Sequence, residues 1–445
     1  MTQLKRSLGV FEGITILVGI TIGAGIYATP QIIAGYQSSF AQIIALWLGM
    51  GVFVYIGGLI YAELGSRLPE TGGEYVYLNK AFGPFLGFIF GWAQLFIIRT
   101  SPAAGLAIVS VNYFESLLPE TIILSSFSHT ALCILVILLI GTINYIGIKQ
   151  ASIYQNLSTI IKVGGLFTLV AVGLIFIGGQ ENALAEVYEP TSDLGPMGRF
   201  GAVMMMIVFS YLGWDRVGYS AGEMKNPRKV IPISMFVGIG LVVMVYASAN
   251  LLYHYVLGME GVRATKTVAV AVSSELFGPI GAALIAIIVI VSATGSINGT
   301  MMTAPRVYYA MAKDGIFFKW FNYVHPKFRT PSRAIMAHCG WAIVILLVRQ
   351  NFENIVAGMT FAVLIFYTMT TVALFKLRKM GVGEEGSYKV PLFPVLPAIY
   401  LLGILTLVCI RGFYEWEKSL IDLAFIAVGI PFALIFVKNK NPEIS

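Results

Sequence analysis

The sequence predicts an all-α membrane protein with twelve transmembrane helices, and two observations support this prediction. First, 57% of the 445 residues are hydrophobic and 11% are charged, whereas roughly a quarter of the residues in a soluble globular protein are charged. Second, near-continuous apolar runs at 43–61, 130–148 and 241–257 are long enough to cross about 30 Å of hydrocarbon. We therefore expect one transmembrane domain over residues 1–445 and no separate soluble domain.

The apolar runs divide into twelve predicted spans, and the charges between the spans predict an orientation. The spans are 10–36, 40–65, 83–113, 128–147, 153–178, 199–222, 231–257, 279–308, 332–349, 353–375, 395–411 and 419–437. Of the 29 lysines and arginines, 19 lie in loops on the side of the amino terminus and 6 lie in the opposite loops. By the positive-inside rule, we expect a multi-pass protein of the plasma (inner) membrane with both termini in the cytoplasm. The net charge of +7 then contacts anionic lipid, so no nucleic-acid partner is expected.

Two of these spans are interrupted by residues that disfavour a continuous helix. The first span contains Gly19, Gly23 and Gly25, and the sixth contains Gly213 followed by the ionisable residue Asp215. Glycine-interrupted spans at corresponding positions of two halves indicate the binding site of an inverted-repeat transporter. The alternative is that the glycines only let helices pack closely. The presence of both interruptions, in the first and sixth spans, favours the binding site.

Further motifs follow these two segments in a recognisable order. They are Gly23-Ala-Gly-Ile-Tyr27, Pro69-Glu-Thr-Gly-Gly-Glu-Tyr75, Ile97-Ile-Arg-Thr-Ser101, Phe209-Ser-Tyr-Leu-Gly-Trp214, Gly222-Glu-Met-Lys-Asn-Pro227 and Gly295-Ser-Ile-Asn-Gly299. Together they resemble the amino acid–polyamine–organocation superfamily over nearly the whole chain, and within it the L-type amino acid transporters. The resemblance implies a LeuT-like fold with two inverted five-helix repeats, at 10–178 and 199–375, and two additional helices at 395–437. It also implies alternating access around a site near the bilayer midplane.

The resemblance assigns the substrate to the two interrupted spans. It implies that backbone N–H groups of Gly23, Ala24 and Gly25 bind the substrate carboxylate. It implies that the ammonium lies on carbonyl groups of the first and sixth spans, and the predicted substrate-binding residues there are Thr21, Phe209, Ser210 and Leu212. Helix ends suit a zwitterion, because amino-terminal ends attract anions and carboxyl-terminal carbonyls attract cations without any buried charged side chain.

Lys162 lies inside the predicted fifth span, where a lysine that faced lipid would be costly. We therefore expect it to face the bundle interior. The resemblance implies that its ammonium stands where sodium-coupled relatives hold their ion, which predicts sodium-independent transport. The alternative is a lysine whose amine reaches back to the cytoplasmic interface.

Other polar residues in the spans are candidates for a pocket or a gate: Arg99, Tyr211, Trp214, Asp215 and Asn298. Arg99 either lies near the substrate side chain or pairs with a helix carbonyl or a neighbouring acid. Glu63 is expected to form an ion pair at a gate. The histidines lack metal-ligand spacing, so neither a metal nor a cofactor is expected. The three cysteines are expected to be buried, and the loop 114–128 has none, so by the resemblance no disulfide-linked subunit is expected.

The predicted function is sodium-independent secondary transport of amino acids, by exchange or by coupling to protons, and the protein is not expected to be an enzyme. Leu212 stands where the resemblance places glycine in transporters of large neutral substrates, so small neutral amino acids are expected. Asp215 leaves open a permease for cationic amino acids, polyamines or amine-modified sugars. An intramembrane enzyme is disfavoured, because Asp215 has no second aspartate in a matching segment.

Overall fold

A computed structural model describes residues 8–70, 72–119, 121–175, 187–383 and 385–438, and helices dominate these ranges. The α-helices are α1 Val10–Thr21, α2 Gly25–Ala28, α3 Pro30–Tyr36, α4 Phe40–Arg67, α5 Glu74–Phe82, α6 Pro84–Ala93, α7 Thr100–Glu115, α8 Ser126–Ile146, α9 Ile148–Ile175, α10 Pro196–Tyr211, α11 Pro227–Ala264, α12 Val268–Lys313, α13 Ser332–Arg349, α14 Phe352–Lys379, α15 Val395–Tyr414, α16 Trp416–Ala427 and α17 Gly429–Lys438. A π-helical turn, Gln94–Ile98, joins α6 to α7, and 3₁₀ helices cover Trp214–Glu223 and Lys319–Phe321. The predicted end of the first repeat at residue 178 and both chain ends lie outside the described residues.

The described helices confirm the twelve predicted spans. Eleven of them are long and apolar enough to cross a membrane, and α10 with the 3₁₀ helix that follows it, bent by 41°, makes the twelfth. The last predicted span corresponds to α16 and α17 together. The chain is therefore a multi-pass membrane protein with an all-α fold.

Two glycines interrupt the long helices α11 and α12. Gly258 in α11 and Gly278 in α12 have φ values of 67° and 68°, a conformation that glycine adopts without a steric penalty. The predicted span 231–257 ends just before Gly258, and the predicted span 279–308 begins just after Gly278. Two short helical stretches between them, before and after the loop at Thr265–Thr267, were not predicted, because they are too short to give a membrane signal.

The spans differ in how much of their surface other helices cover. In the most apolar stretch of the third span, Pro84–Glu115, 89% of the residues are buried, compared with 17% in the last span, Trp416–Val437. The third span is therefore central, and the last span presents most of its apolar surface to lipid. Cys133 and Cys339 are buried as expected, but Cys409 is exposed on α15. The prediction for Cys409 was wrong, because an apolar neighbourhood in sequence does not distinguish a lipid-facing side from a packed one.

Ion pairs and backbone hydrogen bonds fasten the ends of the bundle. Glu63 is fully buried and accepts hydrogen bonds from Arg67 Nε at 2.7 Å and from Arg378 Nε at 2.7 Å, so its predicted ion pair is present. On the same side, Leu8 donates its N–H to the carbonyl of Glu223 at 3.0 Å and accepts from the N–H of Lys225 at 2.9 Å. These two bonds join the segment before α1 to the end of the 3₁₀ helix at Trp214–Glu223.

Candidate functional site

The helix of the first span breaks between Thr21 and Gly25. The helix α1 ends at Thr21, Ile22 is extended with φ −70° and ψ 97°, and α2 begins at Gly25. The last carbonyls of a helix and its first N–H groups lack partners within that helix. The break therefore places carbonyl ends of α1 beside N–H ends of α2, and the predicted residues Gly23 and Ala24 lie within it.

The sixth span breaks in a similar way after Tyr211. Leu212 is extended, with φ −60° and ψ 141°, and Gly213 has a φ of 127° that favours glycine. The tight 3₁₀ helix from Trp214 then continues the span in a new direction. The carbonyl of Phe209, the residue predicted to contact an ammonium, accepts a hydrogen bond from the N–H of Leu212 at 3.0 Å. One lone pair of this carbonyl thus remains for another donor.

The two breaks touch each other. A Cβ atom added to Gly25 would lie 2.9 Å from Cα of Ser210, and one added to Gly213 would lie 3.0 Å from the backbone N of Thr21. Only glycine permits both approaches. The hydroxyl of Ser210 lies 3.0 Å from that of Thr29, which links the sixth span to the helix beyond the first break. The structure therefore brings together the predicted residues of the first and sixth spans.

Tyr246 of α11 lies at this crossing, and the sequence analysis missed it. Its hydroxyl lies 2.8 Å from the carbonyl oxygen of Thr21 and 2.9 Å from that of Ser210. One hydroxyl hydrogen serves two carbonyls, so these carbonyls can accept from a further donor. The hydroxyl of Thr21 is buried and has no hydrogen-bond partner among the described residues. The carbonyls of Thr21 and Ser210 therefore suit a cationic group such as an ammonium.

The predicted gate residues Tyr211 and Trp214 point to different neighbours. The hydroxyl of Tyr211 donates to the carbonyl of Trp47 in α4 at 3.2 Å, and its ring packs against that of Tyr246 with centroids 5.3 Å apart. Trp214 packs against the rings of Tyr61 and Tyr367, with centroids 4.8 and 5.4 Å away. The three buried rings fill the space next to the second half of the sixth span, on the side of the bundle where Leu8 is bound.

Lys162 is 2% exposed and lies within the bundle, which disfavours an amine that reaches back to the interface. One turn before it, Ser158 packs directly against Gly295 of α12, and Thr159 packs against Gly19 of α1. Lys162 therefore lies one turn along α9 from the contacts of that helix with α1 and α12. Within the described part of the chain, no hydrogen bond or ion pair engages its ammonium.

Arg99 has partners that do not belong to either break. It follows the π-helical turn Gln94–Ile98, and its Nε donates to Gln94 Oε1 at 2.7 Å. Its guanidinium also lies 5.8 Å from the ring centroid of Tyr219. These partners, a side-chain amide and a ring, are neither the helix carbonyl nor the neighbouring acid that one interpretation of Arg99 predicted.

Asn298 links three helices. Its amide nitrogen donates to Gln155 Oε1 at 2.9 Å, and its amide oxygen accepts from Asn144 at 2.8 Å. It also donates to the carbonyl of Ala151 at 2.9 Å. These bonds tie α12 to α8 and α9, and none of them reaches α1 or α10.

Asp215 is 2% exposed and has an acidic neighbour that the sequence analysis missed. Asp215 Oδ2 lies 3.3 Å from Nε of Arg216, yet neither carboxylate oxygen accepts a hydrogen bond of good geometry from the described residues. Glu74, at the start of α5, is 4% exposed and lines the same small cavity. Its Oε1 accepts from the hydroxyl of Tyr61 at 2.5 Å. The signal that could have found it is an acid directly after a glycine pair, where a loop turns back into the bundle.

Twelve spans with two broken helices that cross at their breaks define the architecture of a secondary transporter. The chain matches the amino acid permease family over residues 8–436 and belongs to it. The resemblance to the amino acid–polyamine–organocation superfamily is thereby confirmed, and this family transports amino acids rather than catalysing a reaction.

Curated relatives match nearly the whole chain. The serine/threonine exchanger SteT of Bacillus subtilis is 34% identical over 407 residues, which is 90% of each chain. The b(0,+)-type amino acid transporter 1 of Mus musculus is 28% identical and covers 99% of this chain and 89% of its own. The large neutral amino acids transporter small subunit 2 of Mus musculus is 28% identical and covers 96% of this chain and 80% of its own.

Proposed function

We propose that this protein is a sodium-independent carrier of small neutral amino acids that works by alternating access, as an exchanger or with coupling to protons. It resides in the plasma membrane with both termini in the cytoplasm. The observation that supports this proposal best is the contact between the two broken spans. There, N–H groups at the start of α2 and carbonyl groups at the ends of α1 and α10 meet at one crossing.

A zwitterion complements this crossing without a charged side chain. The carboxylate binds the N–H groups of Gly23, Ala24 and Gly25, where the positive end of a helix dipole favours an anion. The ammonium binds the carbonyls of Thr21 and of the end of α10. There its N–H groups donate to these carbonyls, beside or in place of the hydroxyl of Tyr246.

The surroundings of the crossing support a small substrate. Gly25 is pressed against Ser210, so the backbones leave little room between them. Leu212 and Phe209 are half-buried beside the break, and the ring of Phe209 packs edge-on against Phe352 at 5.6 Å. A relative 34% identical to this chain exchanges serine and threonine, which agrees with a small neutral substrate.

Sodium independence is supported by the position of Lys162. It is buried one turn along α9 from the contacts of that helix with α1 and α12. A fixed cation there stabilises the unwound backbone by attraction to its carbonyls. A bound sodium ion is then not required.

Purified protein in liposomes tests these statements. Vesicles loaded with serine are challenged with labelled serine, threonine, alanine, leucine and lysine, with and without a sodium gradient. We expect counterflow of serine, threonine and alanine at rates that sodium does not change. Lack of exchange for every amino acid, or a requirement for sodium, would contradict the proposal.

A carrier of cationic substrates is the second candidate, and the buried acids Glu74 and Asp215 favour it. In the same vesicles it predicts counterflow of lysine and competition by putrescine or glucosamine. Faster counterflow of serine than of lysine favours the carrier of small neutral amino acids over the carrier of cationic substrates.

A further inference from the structure

Glu74 and Asp215 form a pair of buried acids around one small cavity. They come from different elements, since Glu74 begins α5 and Asp215 lies in the 3₁₀ half of the sixth span. The cavity is lined by both acids together with Gln94, Arg216 and Tyr367, among other residues. Two carboxylates that share one enclosed space seldom ionise together without matching positive charge.

The groups around the acids supply hydrogen bonds but little positive charge. Those that face the pair are Tyr61 of α4, Tyr77 of α5, Gln94 of the π-helical turn, Arg216 and Tyr219 of the 3₁₀ helix, Tyr367 and Thr370 of α14, and Tyr400 of α15. Arg216 is the one cation in contact with either acid among the described residues. Arg99 donates a hydrogen bond to Gln94, and its guanidinium lies over the ring of Tyr219.

This composition leaves a buried negative charge when both acids are ionised. Two carboxylates and one guanidinium sum to one negative charge, and a single proton on either acid removes it. Glu74 lies between the second and third spans. Its burial and then the negative charge of Asp215 raise its pKa to about 7. The pair of acids therefore holds one proton below about that pH and releases it above it.

Unsatisfied polar atoms at the cavity also indicate a missing group. Both oxygens of Asp215 and Nη1 of Arg216 are buried without a hydrogen bond of good geometry among the described residues, although Tyr367 and the backbone at Gly213 lie close to the carboxylate. Buried polar groups are almost always paired in folded proteins. A proton shared between the acids, with a water in the cavity, would satisfy these oxygens.

The acid pair is mechanically connected to the broken spans. Asp215 follows Gly213 by two residues, and Gly213 is pressed against the backbone of Thr21 at the first break. A displacement of the sixth span at Gly213 would therefore also displace Asp215, which lies two residues further along the chain. Exclusion of water from the cavity favours the singly protonated pair, which together with Arg216 carries no net charge.

We propose that Glu74 and Asp215 together form a proton-binding site that couples transport to a proton gradient. The proposal rests on the amino acid carrier function proposed above. One proton leaves the solution and binds a carboxylate oxygen as the carrier closes over its substrate. The same proton returns to the solution on the other side when the carrier opens there, and no other bond is made or broken. A neutral zwitterion is thus moved with one positive charge.

Proteoliposomes test this proposal with serine as the probe. At equal pH on both sides, wild-type protein exchanges serine, and an inward proton gradient drives serine accumulation that falls as the external pH rises through about 7. In Glu74→Gln and Asp215→Asn, which keep similar shapes without a titrating proton, we expect exchange to persist and proton-driven accumulation to disappear. Glu353→Gln is the matched control, because Glu353 also accepts a 2.5 Å hydrogen bond from a tyrosine, Tyr36, and it should keep both activities.

Each outcome separates this proposal from the carrier function. Serine exchange without any effect of a proton gradient overturns the proton site and leaves the carrier function standing. Absence of exchange at equal pH overturns the carrier function itself. Loss of lysine counterflow in Glu74→Gln, with unchanged serine transport, shows that the acids bind a cationic substrate and overturns the proton site.

A measurement on wild-type protein covers the case in which the variants do not fold. Serine is added to detergent-solubilised protein in weakly buffered solution at pH 7 with a pH indicator. We expect uptake on the order of one proton per protein. No uptake at saturating serine overturns the proposal.

Discussion

Gly25 offers a clean test of the contact between the broken spans. It occupies the first turn of α2 with an ordinary helical backbone, so alanine suits its conformation and the effect of Gly25→Ala is steric. The new Cβ would lie 2.9 Å from Cα of Ser210, a backbone atom that no rotamer change can move. Carbon atoms pack at about 3.5–4.0 Å, so the two spans would have to separate by at least about 0.6 Å.

The expected magnitude follows from this separation. Overpacking of this kind costs about 1–3 kcal/mol, which corresponds to a fall of about 5–150-fold when it acts on a binding step. Binding sites tolerate displacements of about 0.5 Å before their geometry is lost. We therefore expect the initial rate of serine exchange by Gly25→Ala to fall by at least about fivefold, with the protein still monodisperse in size-exclusion chromatography.

Gly49→Ala is the matched control for this experiment. Gly49 lies in α4 with no atom within 4 Å of an added Cβ, so alanine there meets open space. It should exchange serine within about twofold of wild type. Wild-type exchange and wild-type KM in Gly25→Ala would refute the close crossing as the basis of the site.

Three further substitutions test the same region by serine exchange in liposomes. Tyr246→Phe removes the hydroxyl that two buried carbonyls share, which costs about 1–3 kcal/mol; we expect at least a fivefold fall, and an unchanged rate would contradict a role at the crossing. Lys162→Met removes the buried cation of α9, so exchange should fall at least about tenfold, with the nearby Gly164→Ala, where an added Cβ meets open space, as control. Full activity of Lys162→Met would exclude a stabilising cation. Leu212→Gly should extend competition to phenylalanine and leucine, and unchanged selectivity would show that Leu212 does not limit substrate size.

The sequence predicted the spans and the position of the breaks because both have local causes. Hydropathy over about 20 residues marks a span wherever it lies in the fold. Gly23, Gly25 and Gly213 marked the breaks because glycine is unfavourable in a helix unless the backbone bends or approaches another chain segment. The structure adds that Gly25 and Gly213 are needed for contact with the other broken span.

The residues that sequence analysis missed depend on distant parts of the chain. Tyr246 is one tyrosine in an apolar span, and nothing near it in sequence indicates that two helix ends meet at its hydroxyl. Glu74 and Asp215 are separated by 141 positions and meet only because α5 turns back into the bundle. Asn298 is a polar residue in a span like many binding residues, but its partners in α8 and α9 become visible only in three dimensions. Periodicity and motifs therefore do not predict which side chains pair across the fold.

The two backbone hydrogen bonds at Leu8 have a consequence for motion. They join main-chain atoms, so only a substitution by proline, which lacks the N–H, removes one of them directly, and a displacement of about 1 Å would break them. The segment before α1 and the end of the 3₁₀ helix must then travel as one body whenever the bundle opens on that side. The ends of the two broken spans on that side therefore move together. Shortening the chain before residue 9 would allow them to move separately.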